Sequence, residues 1–93
     1  MHTSLPIIRH EEISAQSGMV VAQHVTAAQI GVEVLRRGGN AVDSAVSTAF
    51  ATGVLLPIWN GIGGGGLMTV HFNGGDGGTI DFGMQAPGLA HAE

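Results

Sequence analysis

The apolar and polar positions divide the chain into an N-terminal arm, a helical segment and a hairpin segment. Residues 1–17 show little periodicity and are interpreted as the arm, which leaves 18–93 as the folded segment. The apolar run GMVVAQ at 18–23 predicts a short buried strand before the first helix.

The first helix is predicted to begin at Thr26, which we interpret as its N-cap. Gln29, three residues later, would complete a capping box. Gly31 lowers helix propensity by about 1 kcal/mol relative to Ala, so we expect it to mark close packing against a neighbour. Gly38 and Gly39 predict the end of this helix.

A second helix is predicted after Asn40, which is a favourable N-cap, with Asp43 in the first turn. The other positions are apolar or small, so this helix can be buried on most of its surface, and its small side chains let neighbouring elements come close. Gly53 and Pro57 predict its C-terminal end.

A β-hairpin is predicted after the helices. The runs 67–72 and 79–82 have the composition of strands, and NGGDGG at 73–78 is typical of a turn in which several positions favour positive φ. The expected fold class is therefore α/β, of the α+β kind, with an antiparallel hairpin. We expect its sheet to be incomplete at residue 93.

The composition narrows the possible functions. The chain has 93 residues, a net charge of −4 and 11% charged residues, and its three basic residues are arginines. No basic patch is present, so nucleic-acid binding is not expected. The apolar stretch 41–58 contains Asp43, Gly53 and Pro57, so a membrane span is not expected either. The N-terminal sequence has no continuous apolar core of a signal peptide, which favours the cytoplasm.

Metal ligands are few. The chain has five histidines and no cysteine, and no two histidines have the i,i+4 spacing of a helical zinc site. We therefore expect no metal and no cofactor. His24 and His71 are interpreted as capping, packing or surface residues. Trp59 is expected either to line a pocket or, as the favoured interpretation, to anchor the turn between the second helix and the hairpin.

Five glycines occupy the six positions 61–66. Gly61, Gly63 and Gly66 match G-x-G-x-x-G, but a dinucleotide-binding loop follows a strand and opens a helix, whereas this run follows a helix and precedes a strand. A P-loop would need Lys at the position of Leu67. Phosphate binding is therefore not expected. The glycines either allow close backbone approach or present N–H donors to a substrate or an oxyanion, and the two roles are compatible.

Three sequence blocks together resemble the γ-glutamyltranspeptidase family. They are QHVTAAQIGVEVLRRGGNAVDSAVSTAFATGV (23–54), GIGGGGLMTV (61–70) and TIDFGMQAPG (79–88). The resemblance extends over about residues 18–90 and corresponds to the N-terminal part of the family's large subunit. It implies the first part of the αββα sandwich of N-terminal nucleophile (Ntn) hydrolases, a fold that is incomplete in this chain.

The resemblance also implies an amide-hydrolysing or γ-glutamyl-transferring enzyme. In this family a proenzyme cleaves itself, and the new N-terminal Thr of the small subunit is the nucleophile while its α-amine is the base. That Thr lies far downstream, so we expect no catalytic residue in this chain and no activity from the chain alone. The implied partners are the remainder of the large subunit, the small subunit and a small-molecule amide substrate.

The segment DFGMQAP at 81–87 departs from the family's DFRE-x-AP pattern. In γ-glutamyl enzymes the Arg of this pattern binds the α-carboxylate of the donor, and Gly83 occupies its position here. We therefore expect Gly83 and Gln85 at the substrate-binding site, and a small amide such as oxamate, or an acyl amide, as the substrate. Asp81 is expected either to orient a group at that site or to make a structural hydrogen bond.

Two alternatives stay open. The first is a true γ-glutamyl transferase or hydrolase that takes an Arg from another segment. The second is a non-catalytic protein that binds or assembles, for which the isolated chain should fold alone as a monomer or self-assembly. Circular dichroism and size exclusion would test the second alternative, and a disordered or aggregated chain would contradict it.

Overall fold

The computed structural model describes residues 12–90. Within this range the chain forms two helices and two strands: α1 (Val25–Arg36), α2 (Ala41–Leu55), β1 (Leu67–His71) and β2 (Gly77–Asp81). Both predicted helices and the antiparallel hairpin are confirmed, and the chain is α+β. Residues 1–11 of the predicted arm lie outside the described residues, and the rest of the arm, 12–17, forms neither helix nor strand.

The strand predicted at 18–23 is wrong. Within residues 12–90, β1 and β2 pair only with each other, and no further strand adds to their sheet. A strand is stabilised by hydrogen bonds to a neighbouring strand, and the described chain offers none beside 18–23. This segment instead runs along the helices, where Val20 packs close to Gly31 of α1.

The N-cap of α1 is His24 rather than Thr26. Nδ1 of His24 accepts a hydrogen bond from the Thr26 N–H over 3.1 Å, and the His24 carbonyl accepts from the Ala28 N–H over 3.1 Å. Thr26 is therefore already inside the first turn, and the predicted capping box with Gln29 does not form. A histidine ring can replace the usual hydroxyl or carboxylate here because its unprotonated nitrogen is a hydrogen-bond acceptor.

The junction between the helices follows the sequence prediction closely. The N–H groups of Gly38 and Gly39 donate to carbonyls of the last turn of α1, over 3.1 and 3.0 Å, and Gly38 has a φ of 91°. Asn40 and Asp43 then form a reciprocal capping box: Oδ1 of Asn40 accepts from the Asp43 N–H over 2.8 Å, and Oδ2 of Asp43 accepts from the Asn40 N–H over 3.0 Å. These hydrogen bonds satisfy backbone groups at the C-terminal end of α1 and at the N-terminal end of α2, and they fix a sharp reversal of the chain.

Small residues form the contact between α1 and α2. Gly31 of α1 faces Ser44 and Thr48 of α2, and the Ser44 hydroxyl donates to the Gly31 carbonyl over 2.9 Å. A Cβ on Gly31 would clash with Oγ1 of Thr48 and lie 2.9 Å from Cγ1 of Val20. The predicted close packing at Gly31 is confirmed, and it buries Ala27 one turn earlier.

Three large apolar residues of α2 are exposed in this chain. Val46, Phe50 and Val54 are 41%, 60% and 81% exposed, and Ala27 is the one buried apolar residue within 12–90. The radius of gyration is 18.4 Å, whereas a compact domain of this length has one of about 12 Å. In the described chain most of the α2 surface stays uncovered, because α1 packs on its stripe of small polar residues Ser44, Thr48 and Thr52.

The hairpin aligns Leu67 with Asp81 and His71 with Gly77. Its turn is closed by the Phe72 N–H, which donates to the Asp76 carbonyl over 2.7 Å. Several positive φ angles were expected in the turn, but Gly75, at 92°, is its one residue in that conformation. This register places the end of β2 beside the start of β1, where the glycine run enters the sheet.

Candidate functional site

The candidate site lies where the glycine run enters β1 and the chain leaves β2. Gly66 and Phe82 extend the hairpin by one more pair: the Phe82 N–H donates to the Gly66 carbonyl over 3.0 Å, and the Gly66 N–H donates to the Phe82 carbonyl over 3.3 Å. This pair brings the segment 82–84 against the run 61–66. Two separate sequence blocks, GIGGGGLMTV and TIDFGMQAPG, are thereby joined in one place.

This contact requires glycine at position 65 and leaves little room for a side chain at position 66. A Cβ on Gly65 would lie 2.9 Å from the Met84 nitrogen and 3.0 Å from the Phe82 carbonyl oxygen, and a Cβ on Gly66 would lie 2.9 Å from the Phe82 ring. The atoms near Gly65 belong to backbone and cannot rotate away. A side chain at position 65 would therefore push the two segments apart, whereas one at position 66 would require the Phe82 ring to move.

The remaining geometry of the run also supports a structural role. The Gly64 N–H donates to the Gly61 carbonyl over 3.1 Å, which closes a turn inside the run. The N–H groups of Gly64 and Gly66 are thus used within the fold. The run continues into β1 and not into a helix, so it lacks the helix N-terminus on which dinucleotide loops place a phosphate.

Gly83 lies directly beyond the Gly66–Phe82 pair and is held by Asp81. The Gly83 N–H donates to Oδ1 of Asp81 over 3.0 Å, and a Cβ at position 83 would lie 3.3 Å from the same oxygen. Gly83 does not have a positive φ, so its backbone accepts other residues. Gln85 follows two residues later, and both predicted substrate-binding residues are exposed on this one segment.

A cleft of about 510 Å³ opens on the other side of Phe82. It lies between the C-terminal half of α2, the turn that follows and the glycine run. Its larger lining side chains are apolar: Phe50, Val54, Pro57, Ile62 and Phe82. Phe82 lines this cleft, whereas the predicted substrate-binding residues Gly83 and Gln85 do not.

The other candidate residues have structural or surface positions. Asp43 and His24 cap α2 and α1 respectively. Trp59 is 78% exposed, so its predicted role as the anchor of the turn is wrong, and it instead lines a small pocket with Gln23 and Leu56. Asn60 has that role instead, because its side-chain amide donates to the Ala49 carbonyl of α2 over 3.0 Å. Within residues 12–90 no group of three His, Cys, Asp or Glu side chains could hold a metal ion.

No helix in the described part of the chain is both long and apolar enough to cross a membrane.

Four of the described threonines have structural partners. The hydroxyls of Thr48 and Thr52 donate to the carbonyls of Ser44 and Thr48, each over 2.7 Å. The hydroxyls of Thr69 and Thr79 lie 3.3 Å apart across the hairpin. All four are internal residues, so none has the free α-amine that an N-terminal Thr nucleophile uses as its base.

Comparison with known proteins gives a consistent family assignment. A sequence profile described as Gamma-glutamyltranspeptidase matches residues 27–93. The glutathione hydrolase proenzyme of Pseudomonas sp. (strain A14) is 47% identical over 81 residues, which cover 86% of this chain and 14% of that protein. The acylase ACY 1 proenzyme of Pseudomonas sp. (strain SE83) is 44% identical over 80 residues, with coverage of 86% and 14%.

A solved structure resembles the fold as well. The crystal structure of Helicobacter pylori gamma-glutamyltranspeptidase matches with a TM-score of 0.78 and 36% sequence identity, over 88% of this chain and 24% of that chain. The expected fold class is confirmed by this match, since the two helices and the hairpin correspond to one part of that larger fold. The chain spans only 14% of the length of each of the two curated relatives.

Proposed function

Because this chain belongs to the gamma-glutamyltranspeptidase family, we propose that it contributes the N-terminal part of the large subunit to an autoprocessed amide-hydrolysing enzyme. A downstream segment supplies the Thr nucleophile, whose α-amine serves as the base. Both the glutathione hydrolase and the acylase relatives are named as proenzymes, which supports processing. The partners are then the remainder of the large subunit and the small subunit.

The exposed stripe of Val46, Phe50 and Val54 on α2 supports this place in a larger fold. These side chains are 41–81% exposed in the chain taken alone. Contiguous apolar surface of this kind is normally covered in a soluble protein. The remainder of the large subunit is the segment proposed to cover it.

The substrate is proposed to be a small amide of the oxamate type or an acyl amide. The observation on which this depends is Gly83, which lies against the glycine run at the position where the family resemblance implies an α-carboxylate-binding Arg. Gly83 offers no cation, and its N–H already donates to Asp81. The two described arginines, Arg36 and Arg37, lie on α1 and pair with Glu33. A donor α-carboxylate would therefore lack a guanidinium partner from this segment.

A second candidate function is the hydrolysis or transfer of γ-glutamyl groups. It is favoured by the names of the relatives, since the 47% identical protein is a glutathione hydrolase proenzyme. In this case an Arg from another segment would bind the α-carboxylate. The site described above would then provide the shape of the pocket but not its charge.

A substrate panel separates the two candidates. The full-length proenzyme, after processing, should be offered a γ-glutamyl anilide, oxamate and an aliphatic N-acyl amide, and kcat/KM should be measured for each. We expect oxamate or the acyl amide to be preferred, and a variant with Ala at the new N-terminal Thr to be inactive on all three. Preference for the γ-glutamyl anilide would support the second candidate, and hydrolysis of none of them would contradict both.

A further inference from the structure

We propose that Asp81 is a positioning residue whose carboxylate fixes the backbone of Gly83 for substrate binding. The inference rests on the proposed function, in which residue 83 faces the substrate. Asp81 is the last residue of β2 and pairs with Leu67 of β1. Its Oδ1 accepts a hydrogen bond from the N–H of Gly83, two residues further on, over 3.0 Å.

This hydrogen bond acts where the sheet stops. Phe82 still pairs with Gly66 through two backbone hydrogen bonds, but residues 82–87 form neither helix nor strand. The Asp81 carboxylate accepts the N–H of Gly83, the first residue after that pair. It therefore fixes the backbone for one residue beyond the hairpin. A carboxylate is a stronger acceptor for a backbone N–H than a neutral group, which makes an exposed bond of this length effective.

Gly65 confines the same segment from the other side. The position of a Cβ on Gly65 lies 2.9 Å from the Met84 nitrogen and 3.2 Å from the Gly83 Cα. The backbone at 83 therefore lies against the glycine run and is also hydrogen-bonded to the Asp81 side chain. A residue that sets specificity must have its backbone position fixed. Neighbouring residues can fix it in this way without binding the substrate themselves.

The test compares carboxylate removal at two places on the hairpin of the processed full-length enzyme. Asp81→Ala should raise KM for the preferred amide about three- to tenfold, the range that corresponds to one net hydrogen bond. Its kcat should stay within about twofold of wild type, because the reacting groups belong to another segment. Asp81→Asn keeps an oxygen acceptor without the charge and should give a KM between those of wild type and Asp81→Ala.

Asp76→Ala is the matched control, since Asp76 lies in the turn of the same hairpin and closes it through its backbone carbonyl. Its KM should equal that of wild type. If Asp81→Ala does not undergo processing, Asp81→Ser replaces it, and its weaker acceptor should give a KM above that of Asp81→Asn.

Two results would overturn the proposal. One is an Asp81→Ala enzyme, or its Ser substitute, whose KM equals that of Asp76→Ala. The other is an Asp81→Asn enzyme that is no better than Asp81→Ala. A processed wild-type enzyme that hydrolyses no amide would instead contradict the proposed function, so the two failures are distinguishable.

Discussion

Replacing Gly31 by Val should destabilise the packing of α1 on α2 by about 2–4 kcal/mol, the sum of overpacking and of a lost buried hydrogen bond. The new side chain would occupy the space now filled by Oγ1 of Thr48 and would approach Cγ1 of Val20 and Oγ of Ser44 to 2.9 and 3.0 Å. Thr48 cannot turn away freely, because its hydroxyl donates to the Ser44 carbonyl within α2. Separating the helices would also break the bond from the Ser44 hydroxyl to the Gly31 carbonyl.

The measurement is the yield of soluble, processed protein and its thermal unfolding midpoint in the full-length polypeptide. Gln29→Val is the matched control, because it introduces the same residue on the exposed side of α1 and changes helix propensity by only about 0.5 kcal/mol. Equal stability of the two variants would show that Gly31 is not a packing position.

Replacing Gly83 by Arg should lower KM for a γ-glutamyl anilide at least tenfold, roughly the contribution of one charge-assisted hydrogen bond. The guanidinium would restore the side chain that the family pattern DFRE-x-AP places at this position. The backbone permits the change, because φ of Gly83 is not positive and the nearest obstacle to a Cβ is Oδ1 of Asp81 at 3.3 Å. We expect kcat/KM for oxamate or acyl amides to fall in the same variant, since a long cation would occupy part of their space.

Gly88→Arg provides the control for charge alone. Gly88 lies on the same exposed segment, and no atom lies within 4 Å of the position of its Cβ. This variant adds the same cation five residues further along and should leave KM for the γ-glutamyl anilide unchanged. Equal KM values for wild type and Gly83→Arg would place position 83 away from the α-carboxylate.

Local sequence signals predicted the elements that depend on local bonds. The pair Asn40 and Asp43 forms the capping box that their types and spacing favour, and Gly38 ends α1 with the positive φ that glycine adopts most easily. The turn chemistry of 73–78 predicted the antiparallel hairpin, although β2 begins at Gly77 and not at Thr79. The two pieces of the candidate site could be named from sequence as well, because the glycine run indicated close backbone approach and DFGMQAP indicated Gly83.

Features that depend on distant partners were not predictable. The sequence did not predict the contact between Gly65 and the backbone of 82–84, because this contact depends on the register of the hairpin and not on composition. The N-cap of α1 is His24 and not Thr26, because the His24 ring accepts the N–H of Thr26 and the helix begins one residue before Thr26. The run 18–23 was predicted to be a strand, and the surface of α2 was predicted to be suited to burial. Apolar residues indicate that a surface will be covered, but they do not identify the segment that covers it.

Autoprocessing of the full-length polypeptide tests most directly whether this segment belongs to an amide hydrolase whose nucleophile lies downstream. Intact mass spectrometry and N-terminal sequencing of the purified protein would identify its subunits. We predict two fragments, with residues of this chain in the larger one and Thr as the first residue of the smaller one. A polypeptide that stays uncleaved under conditions in which it is folded, or a new N-terminus other than Thr, would contradict this.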